Sequence, residues 1–370
     1  MNNPTLVNTI SRRDFVRAAT VLGAASLAGR LSTGALRAAV APIPRAGGPR
    51  LKVALNAYSF SRLLNQNVKQ PGSGMSLHDL VDFCARQNVD GLDVTGYFFS
   101  TYPKVPGDAE VNAVKRHAFD CGIDISGTGV RNNFTTADKA VRDASVQHIK
   151  EWCEVAARLG APVLRVFADT QMKAQTWETI SNGATREQVE EWIAGHIRDC
   201  AEHARKFGVI IGVQNHGDFL KTSDDHLSLI RRVDSEWCGA IVDTGYYKTD
   251  DPYADMARVA PYAVNWQIKE SPFGAASDVR TDLKKLLTLV RMAGYRGYLP
   301  IETLSTSVKE YDPFQLVPKF LAELREALEA TASIAPPAEP ESPHPKAIES
   351  TPDAPPSGRK PANKNKNAKP

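Results

Sequence analysis

The sequence has no large excess of charge of one sign and no glycine-rich phosphate-binding motif. Its 45 lysine and arginine residues nearly balance 42 aspartate and glutamate residues, which leaves a net charge of +3. Recruiting nucleic acid requires a strongly basic field, so we expect no nucleic-acid partner. Apolar residues make up 42% of the chain, an ordinary fraction for a globular protein, which excludes disorder of the whole chain.

Cysteine is also scarce. The five cysteines, Cys84, Cys121, Cys153, Cys200 and Cys238, lie far apart and show no C-x-x-C spacing. They fall in segments that read as helix faces or strand starts, so we predict buried, reduced thiols.

No hydrophobic run is long enough to span a membrane. Residues 18–28 are apolar, but a span needs about twenty such residues. This segment follows S-R-R-D-F-V at residues 11–16, the pattern of a twin-arginine export signal. We therefore interpret residues 1–41 as a signal peptide and linker, with cleavage after Ala28 or Ala35. The expected location is periplasmic or secreted, without a stable membrane anchor.

The C-terminal end lacks aromatic residues altogether. Residues 335–370 are rich in proline, alanine, glutamate, serine and lysine. Such a segment cannot bury enough apolar surface to fold, so we predict a disordered tail.

Between these ends, short apolar runs alternate with longer segments whose apolar residues recur every three or four positions. This alternation is typical of βα units. The eight predicted strands are residues 52–56, 91–94, 123–127, 163–168, 209–214, 239–243, 264–269 and 298–302. Eight units in a segment of this length favour a TIM barrel over a doubly wound sheet. We predict a single-domain (β/α)8 barrel over residues 50–330.

Two of the intervening helices show clear buried faces, and glycines follow three of the helices as C-terminal caps. The predicted faces are Val146, Ile149, Trp152, Ala156 and Leu159 in one helix and Val189, Trp192, Ile197, Cys200 and Phe207 in the next. The predicted caps are Gly160, Gly208 and Gly294.

Polar side chains close the last four predicted strands, where the active site of a TIM barrel lies. Gln214 and His216 follow the fifth strand, Asp243 ends the sixth, Gln267, Lys269 and Glu270 end the seventh, and Glu302 ends the eighth. Buried carboxylates such as Asp243 and Glu302 need a cation or hydrogen bonds to offset their charge. A divalent metal would be such a cation. For either carboxylate alone, the alternative is an ion pair with a lysine such as Lys269.

These strand ends resemble the xylose isomerase-like TIM barrel superfamily of sugar isomerases and epimerases, over roughly residues 52–321. The resemblance implies a metal site like that of the family's epimerases, in which the ligands are Glu, Asp, His and Glu. These ligands lie within patterns that look like E-N-H, D-T-G-H, H-x-K-D and I-E. The matching metal positions are Gln214, Asp243, Gln267 and Glu302. Two of the four differ from the pattern, and Tyr246 stands where the family often has a substrate-contacting histidine.

The departures change the expected cofactor and chemistry. Glutamine ligates only through its carbonyl oxygen, so an all-oxygen set with one fewer negative charge would favour a hard cation, with Mn or Mg as our prediction. The resemblance implies proton removal beside a carbonyl to form an enediolate. Gln214 cannot exchange protons, so we name Glu302, His216 and Lys269 as catalytic candidates, with Glu270 as another replacement for the missing base. One-base reactions fit better: isomerisation, or elimination of the kind by which similar periplasmic enzymes cleave 3-keto-glycosides.

Four residues near strand ends are predicted to contact the substrate: Arg165, Tyr246, Trp266 and Glu270. Arg165 near the end of the fourth strand would orient a substrate oxygen, or else pair with Glu302 or Asp243. Other aromatics near strand ends are candidates for stacking on a sugar ring or for core packing, namely Tyr58, Phe60, Tyr97 and Phe98.

The predicted function is a metal-assisted sugar isomerase or epimerase acting through an enediolate. Because phosphorylated sugars are cytoplasmic and export is expected, the substrate should be a free sugar, keto-sugar or glycoside. A 3-keto-glycoside lyase and a non-catalytic sugar-binding barrel remain open, as do the exact substrate and the oligomeric state. A metal-dependent repair nuclease would need clustered histidines and a basic groove, which the sequence does not show.

Overall fold

The computed structural model describes residues 41–170, 175–274, 277–304 and 311–336. Residues 1–40 of the predicted signal peptide and linker, and the predicted tail from residue 337 onward, lie outside the described residues. Within the described part, no helix combines the length and apolar character that crossing a membrane would require.

The centre of the fold is a closed barrel of eight parallel strands, in which each strand pairs with the next along the chain and the eighth pairs with the first. The strands are β1 (Arg50–Asn56), β2 (Gly91–Thr95), β3 (Asp124–Gly129), β4 (Val163–Phe167), β5 (Ile210–Gln214), β6 (Cys238–Asp243), β7 (Ala263–Lys269) and β8 (Arg296–Glu302). The predicted (β/α)8 barrel is confirmed, with every strand end within two residues of its predicted position.

Ten α-helices surround the barrel within the described residues. They are α1 (Ser61–Lys69), α2 (Leu77–Arg86), α3 (Asp108–Asp120), α4 (Lys139–Leu159), α5 (Trp177–Ile180), α6 (Arg186–Ala204), α7 (Ser223–Val233), α8 (Pro252–Val259), α9 (Leu283–Met292) and α10 (Pro313–Ala330). Short 3-10 turns, Ala57–Phe60 and Gly96–Phe98, follow β1 and β2. These two turns carry aromatic side chains to the mouth of the barrel.

Local sequence signals fix where several helices begin and end. Thr222 begins α7 with a capping box, because its side chain accepts from the Asp225 backbone while the Asp225 carboxylate accepts from the Thr222 backbone. Gly160 ends α4 in the left-handed conformation, with φ of 84°. The predicted caps Gly208 and Gly294 also have positive φ.

The predicted buried face of α4 is confirmed, with Trp152 fully buried at its centre. The predicted face of α6 is right only in part, because Trp192 is half-buried and Phe207 is 38% exposed. Phe207 lies in a 3-10 turn, Arg205–Phe207, that follows the helix, so the helical period no longer sets its direction. All five cysteines are free thiols, and Cys121 alone among them is half-buried rather than buried.

The interior of the barrel holds a polar network rather than an apolar core. Gln267 accepts a hydrogen bond from Asn56 at 2.6 Å and donates one to Asp93 at 3.0 Å. Arg165 donates to Asp93 at 3.5 Å and to Thr95 at 3.4 Å. Several of these buried polar atoms satisfy one another in this way, whereas Asp93 Oδ1 and Arg165 Nε have no hydrogen-bond partner among the described residues. The network therefore forms a hydrogen-bonded base on which the residues at the strand ends rest.

Candidate active site

A cavity of about 550 Å³ opens where the strands terminate. Gln214, Lys269 and Glu302 line it, and they are the last residues of β5, β7 and β8. Asp243, the last residue of β6, is fully buried beside them. Parallel strands place their C-terminal residues at one mouth, and this volume is typical of a small-molecule site.

Three charged side chains meet at this mouth. The Lys269 Nζ lies 2.6 Å from Glu302 Oε1 and 3.5 Å from Asp243 Oδ2. Each of the three side chains is at most 8% exposed. The carboxylate of Asp243 also accepts from the Gln214 amide at 2.5 Å and from the Gly245 backbone at 3.1 Å. Lys269 thus sits between two buried carboxylates and offsets their charge.

The ionisation of these groups is coupled. Burial raises the pKa of Asp243, and the nearby Lys269 ammonium opposes that rise only in part. Burial lowers the pKa of Lys269, but the attraction of Asp243 and Glu302 outweighs burial, so its pKa lies above the ordinary value. Lys269 is therefore a cation at neutral pH.

His216 forms a second functional group in the same cavity. Its Nδ1 lies 2.8 Å from Asp169 Oδ2, and its ring stacks on Tyr246 with centroids 4.0 Å apart. Asp169 is buried and His216 is 32% exposed. A carboxylate that binds one imidazole nitrogen orients the ring, which leaves Nε2 to meet a substrate. His216 has the geometry of an oriented general base.

Aromatic side chains form the opposite wall. Tyr58 and Tyr97 line the cavity from the 3-10 turns after β1 and β2. The Arg131 guanidinium, beyond β3, lies 4.9 Å from the Tyr97 ring and lines the same wall. The turns after β1 and β2 therefore supply an aromatic wall, while the acid and base side chains come from β4 to β8, where Phe167 and Tyr246 add two more rings. Flat amphipathic rings of this kind pack well against sugar rings.

Arg165 lines the cavity from β4, and a carboxylate in the barrel interior pairs with its charge. Its guanidinium pairs with Asp93 rather than with Glu302 or Asp243, the partners that the sequence suggested. Gly129 makes room for it, because a Cβ at that position would lie 2.7 Å from Arg165 Nε. Arg165 therefore reaches the cavity while anchored to the barrel interior.

The structure brings seven of the predicted site residues together and leaves three elsewhere. At the mouth lie Arg165, Gln214, His216, Asp243, Tyr246, Lys269 and Glu302. Trp266 is fully buried and packs on Tyr295, because neighbours in a strand point to opposite faces. Glu270 lies past the end of β7 and pairs with Arg280 at 3.3 Å. Neither side chain is among those that line the cavity, so this geometry does not support their predicted contact with a substrate.

The third displaced residue is Gln267, a predicted metal ligand. Its side chain points into the barrel, but both ends of its amide bond to Asn56 and Asp93 in the interior network. Its register partner on the neighbouring strand is Asp243, so depth in the barrel does not separate these two predicted ligands. Gln267 is kept from the other three because its amide is hydrogen-bonded at both ends to Asn56 and Asp93.

The remaining donors do not fit a divalent metal either. Asp243 already accepts hydrogen bonds on both oxygens, and the Lys269 ammonium lies between the two carboxylates. Gln214 turns its NH2 group toward Asp243, while its Oε1 is buried without a partner among the described residues. A hard cation would need the carboxylate oxygens of Asp243 and Glu302, and these already bind the Lys269 ammonium and the Gln214 amide. A sugar hydroxyl is a better match to Gln214 Oε1.

A different group with metal-ligand spacing lies on the outer helices. Asp82 of α2 and His117 and Cys121 of α3 have ligand atoms within 4.8 Å of one another. The His117 ring already bonds to Asp82 at 2.7 Å. The group is half-buried and lies outside the cavity, so it has no part in the chemistry at the strand ends.

Sequence reasoning missed Asp169 and Asp93 of the site, and Arg131 of the cavity wall. Asp169 follows β4 directly after an apolar run, so the rule that selected Asp243 would have found it. Asp93 lies inside β2 between Leu92 and Val94, and a carboxylate flanked by apolar strand residues signals an inward-facing partner.

Comparison with known proteins places the chain in a family. The sequence matches the family described as xylose isomerase-like TIM barrel over residues 81–332. The chain belongs to this family. A search of curated proteins found no match.

Solved structures share the family fold at low sequence identity. D-psicose 3-epimerase from Clostridium cellulolyticum H10 has a TM-score of 0.60 at 14% identity, covering 77% of this chain and 99% of its own. The 3-keto-D-glucoside 4-epimerase from E. coli has a TM-score of 0.58 at 14% identity, covering 75% of this chain and 100% of its own. A xylose isomerase domain protein from Alicyclobacillus acidocaldarius has a TM-score of 0.56 at 19% identity, covering 75% of this chain and 99% of its own. At these identities the likeness shows the fold alone.

Proposed function

We propose that this family member is a sugar isomerase or epimerase that acts on a non-phosphorylated sugar or keto-sugar through an enediolate. The observation that carries the proposal is the pairing of an oriented base, His216 on Asp169, with the Lys269 and Glu302 pair in one cavity. The family, and structural neighbours that are sugar epimerases, support an enzyme of this class.

In the proposed reaction, His216 Nε2 takes the proton from a carbon next to the substrate carbonyl. The C–H pair forms a carbon–carbon double bond, the carbonyl π pair moves onto oxygen, and the proton stays on His216 beside the Asp169 carboxylate. Return of the proton to the neighbouring carbon, with a hydroxyl proton moving to the enediolate oxygen, gives an isomerised sugar. Tyr58 and Tyr97 would hold the sugar ring, and Gln214 Oε1 would accept one hydroxyl.

Two further predictions bear on the substrate and the cofactor. We propose export by the twin-arginine signal at residues 11–16, and this supports a substrate without phosphate. The predicted Mn or Mg ion has no fitting set of ligands at the cavity, so no step is assigned to it.

Elimination from a 3-keto-glycoside is the second candidate. Glu302 is held by Lys269 at 2.6 Å, whereas His216 has its own carboxylate partner, which favours a single base. A single base suits isomerisation on one face, or loss of a leaving group from the carbon adjacent to the enediolate. Epimerisation needs a second acid/base group on the other face, and Glu302 could serve only by leaving Lys269.

The test is incubation of the mature protein in deuterated water with ketoses, aldoses and 3-keto-glycosides. We expect solvent deuterium at one carbon next to the carbonyl, and release of an aglycone would identify elimination. His216→Gln should slow the exchange at least about 100-fold, whereas His78→Gln on the outer helix α2 should leave it unchanged. Binding of a sugar without any exchange would support the non-catalytic barrel instead.

A further inference from the structure

The position of Lys269 has a chemical consequence. In the active site, two carboxylates from the two strands that pair with β7, Asp243 on β6 and Glu302 on β8, flank the lysine on β7. Buried carboxylates need a counter-charge. Here the counter-charge is part of the chain, and its Nζ lies within hydrogen-bond distance of Glu302 and 3.5 Å from Asp243.

A divalent cation would have to enter the same space. A cation bound to both Asp243 and Glu302 would lie close to the Lys269 ammonium, which matches the lysine of the H-x-K-D pattern, so it would need further ligands strong enough to offset that repulsion. The amides at the two remaining predicted ligand positions do not compensate. Gln267 is tied into the interior network, and Gln214 turns its NH2 group toward Asp243.

We propose that the Lys269 ammonium is the cationic group of this active site, donating a hydrogen bond to the substrate carbonyl oxygen and stabilising the enediolate that forms there, in place of a divalent metal. This inference rests on the proposed function for its catalytic part. Lys269 lines the cavity, and its charge is held in position by Asp243 and Glu302, so little reorganisation is needed when negative charge develops on the substrate oxygen. His216 moves the proton, and Lys269 bears the charge.

The inference predicts a protein whose activity does not depend on metal. After exhaustive treatment with EDTA, the wild-type protein should keep its rate of deuterium exchange, and 1 mM Mn²⁺ should neither restore nor raise it. Lys269→Met should lower the rate by about 100-fold or more. Lys269→Arg should retain part of it because the charge is kept.

Metal binding gives an independent measurement that needs no substrate. Titration calorimetry and Mn²⁺ electron paramagnetic resonance should show no site at Asp243 and Glu302 in the wild-type protein, with every variant measured in a Cys121→Ser background that removes one ligand of the group on the outer helices. Lys269→Ala should gain one Mn²⁺ site per chain, because Asp243 and Glu302 lose their counter-charge. The matched control is Lys248→Ala, which removes an exposed lysine beside Tyr246 and should gain none.

The outcomes separate the two proposals. One Mn²⁺ bound per wild-type chain at the carboxylates, together with loss of exchange in EDTA, would overturn the role of Lys269. If no substrate undergoes exchange but Lys269→Ala still gains Mn²⁺ binding, the proposed function is wrong. The conclusion that Lys269 provides the counter-charge of Asp243 and Glu302 would then still stand. If Lys269→Ala does not fold, the wild-type titration and Lys269→Arg, which should bind no Mn²⁺, still decide.

Discussion

Replacing Arg165 with methionine tests whether the interior ion pair holds the barrel together. The substitution keeps an unbranched apolar stem but leaves the buried Asp93 carboxylate without its cationic partner. Removing one partner of a buried pair costs about 3–5 kcal/mol. Only one contact, at 3.5 Å, joins the two residues, so we expect about 3 kcal/mol, the low end of that range. The melting temperature should fall by roughly 6–10 °C.

The pH dependence of this loss identifies its cause. Burial already raises the pKa of Asp93, and Arg165 counteracts the rise, so removing Arg165 raises that pKa further. A carboxyl whose folded pKa is raised favours folding only while it is protonated. The loss in free energy of unfolding caused by Arg165→Met should therefore be small near pH 4 and should grow as the pH rises toward 7.

Urea denaturation from pH 4 to 7 measures the effect. Adding Asp93→Asn to Arg165→Met should recover much of the lost stability, because no unpaired charge remains. The control is Lys52→Met, which removes an exposed ion pair with Asp124 and should cost less than about 1 kcal/mol. If Arg165→Met at pH 7 were no less stable than Lys52→Met, the interior pair would not contribute as argued.

Three further predictions concern single positions. Gly217→Ala would place a Cβ 2.2 Å from Asp169 Oδ2 at a φ of +79°, so we expect the Asp169 carboxylate to move away from His216. The rate of deuterium exchange should fall at least about tenfold, with little change in secondary structure by circular dichroism. Burial lowers the pKa of His226 from 6.5 to about 4. The free energy of unfolding of the wild-type protein, measured with urea, should therefore fall by up to roughly 3 kcal/mol as the pH drops from 6.5 to 4, and His226→Gln should reduce this pH dependence. Thiol labelling of the native protein should modify Cys121 first, and Cys121→Ser should remove the fast phase; fast labelling that survived would contradict the burial of the other four cysteines.

The barrel was predictable because its signals are local and repeated. Strands β5 to β8 are short, largely apolar runs that end in a polar residue at the same mouth, so Gln214, Asp243, Lys269 and Glu302 could be selected from their positions alone. Period-two alternation within β7 also separates Trp266 from its neighbours, a signal that sequence reasoning could have used and did not.

The pairing of side chains was not predictable. Whether Lys269 reaches Glu302, and whether Gln267 stays in the interior, depends on competing partners from other strands. These partners are far away in the sequence; Asn56 and Gln267 are 211 residues apart. A motif resemblance specifies positions in the chain, but the length and charge of each side chain decide what it binds.

The origin of the cavity lining in different stretches of chain has a consequence for the evolution of specificity. Because Tyr58, Tyr97 and Arg131 follow β1 to β3, we expect that they can be exchanged without moving His216 or Lys269. Under the proposed function, such substitutions would change which sugar binds, while the side chains proposed for proton transfer stay in place. Laboratory libraries confined to the turns after β1 and β2 would search substrate range at little risk to turnover.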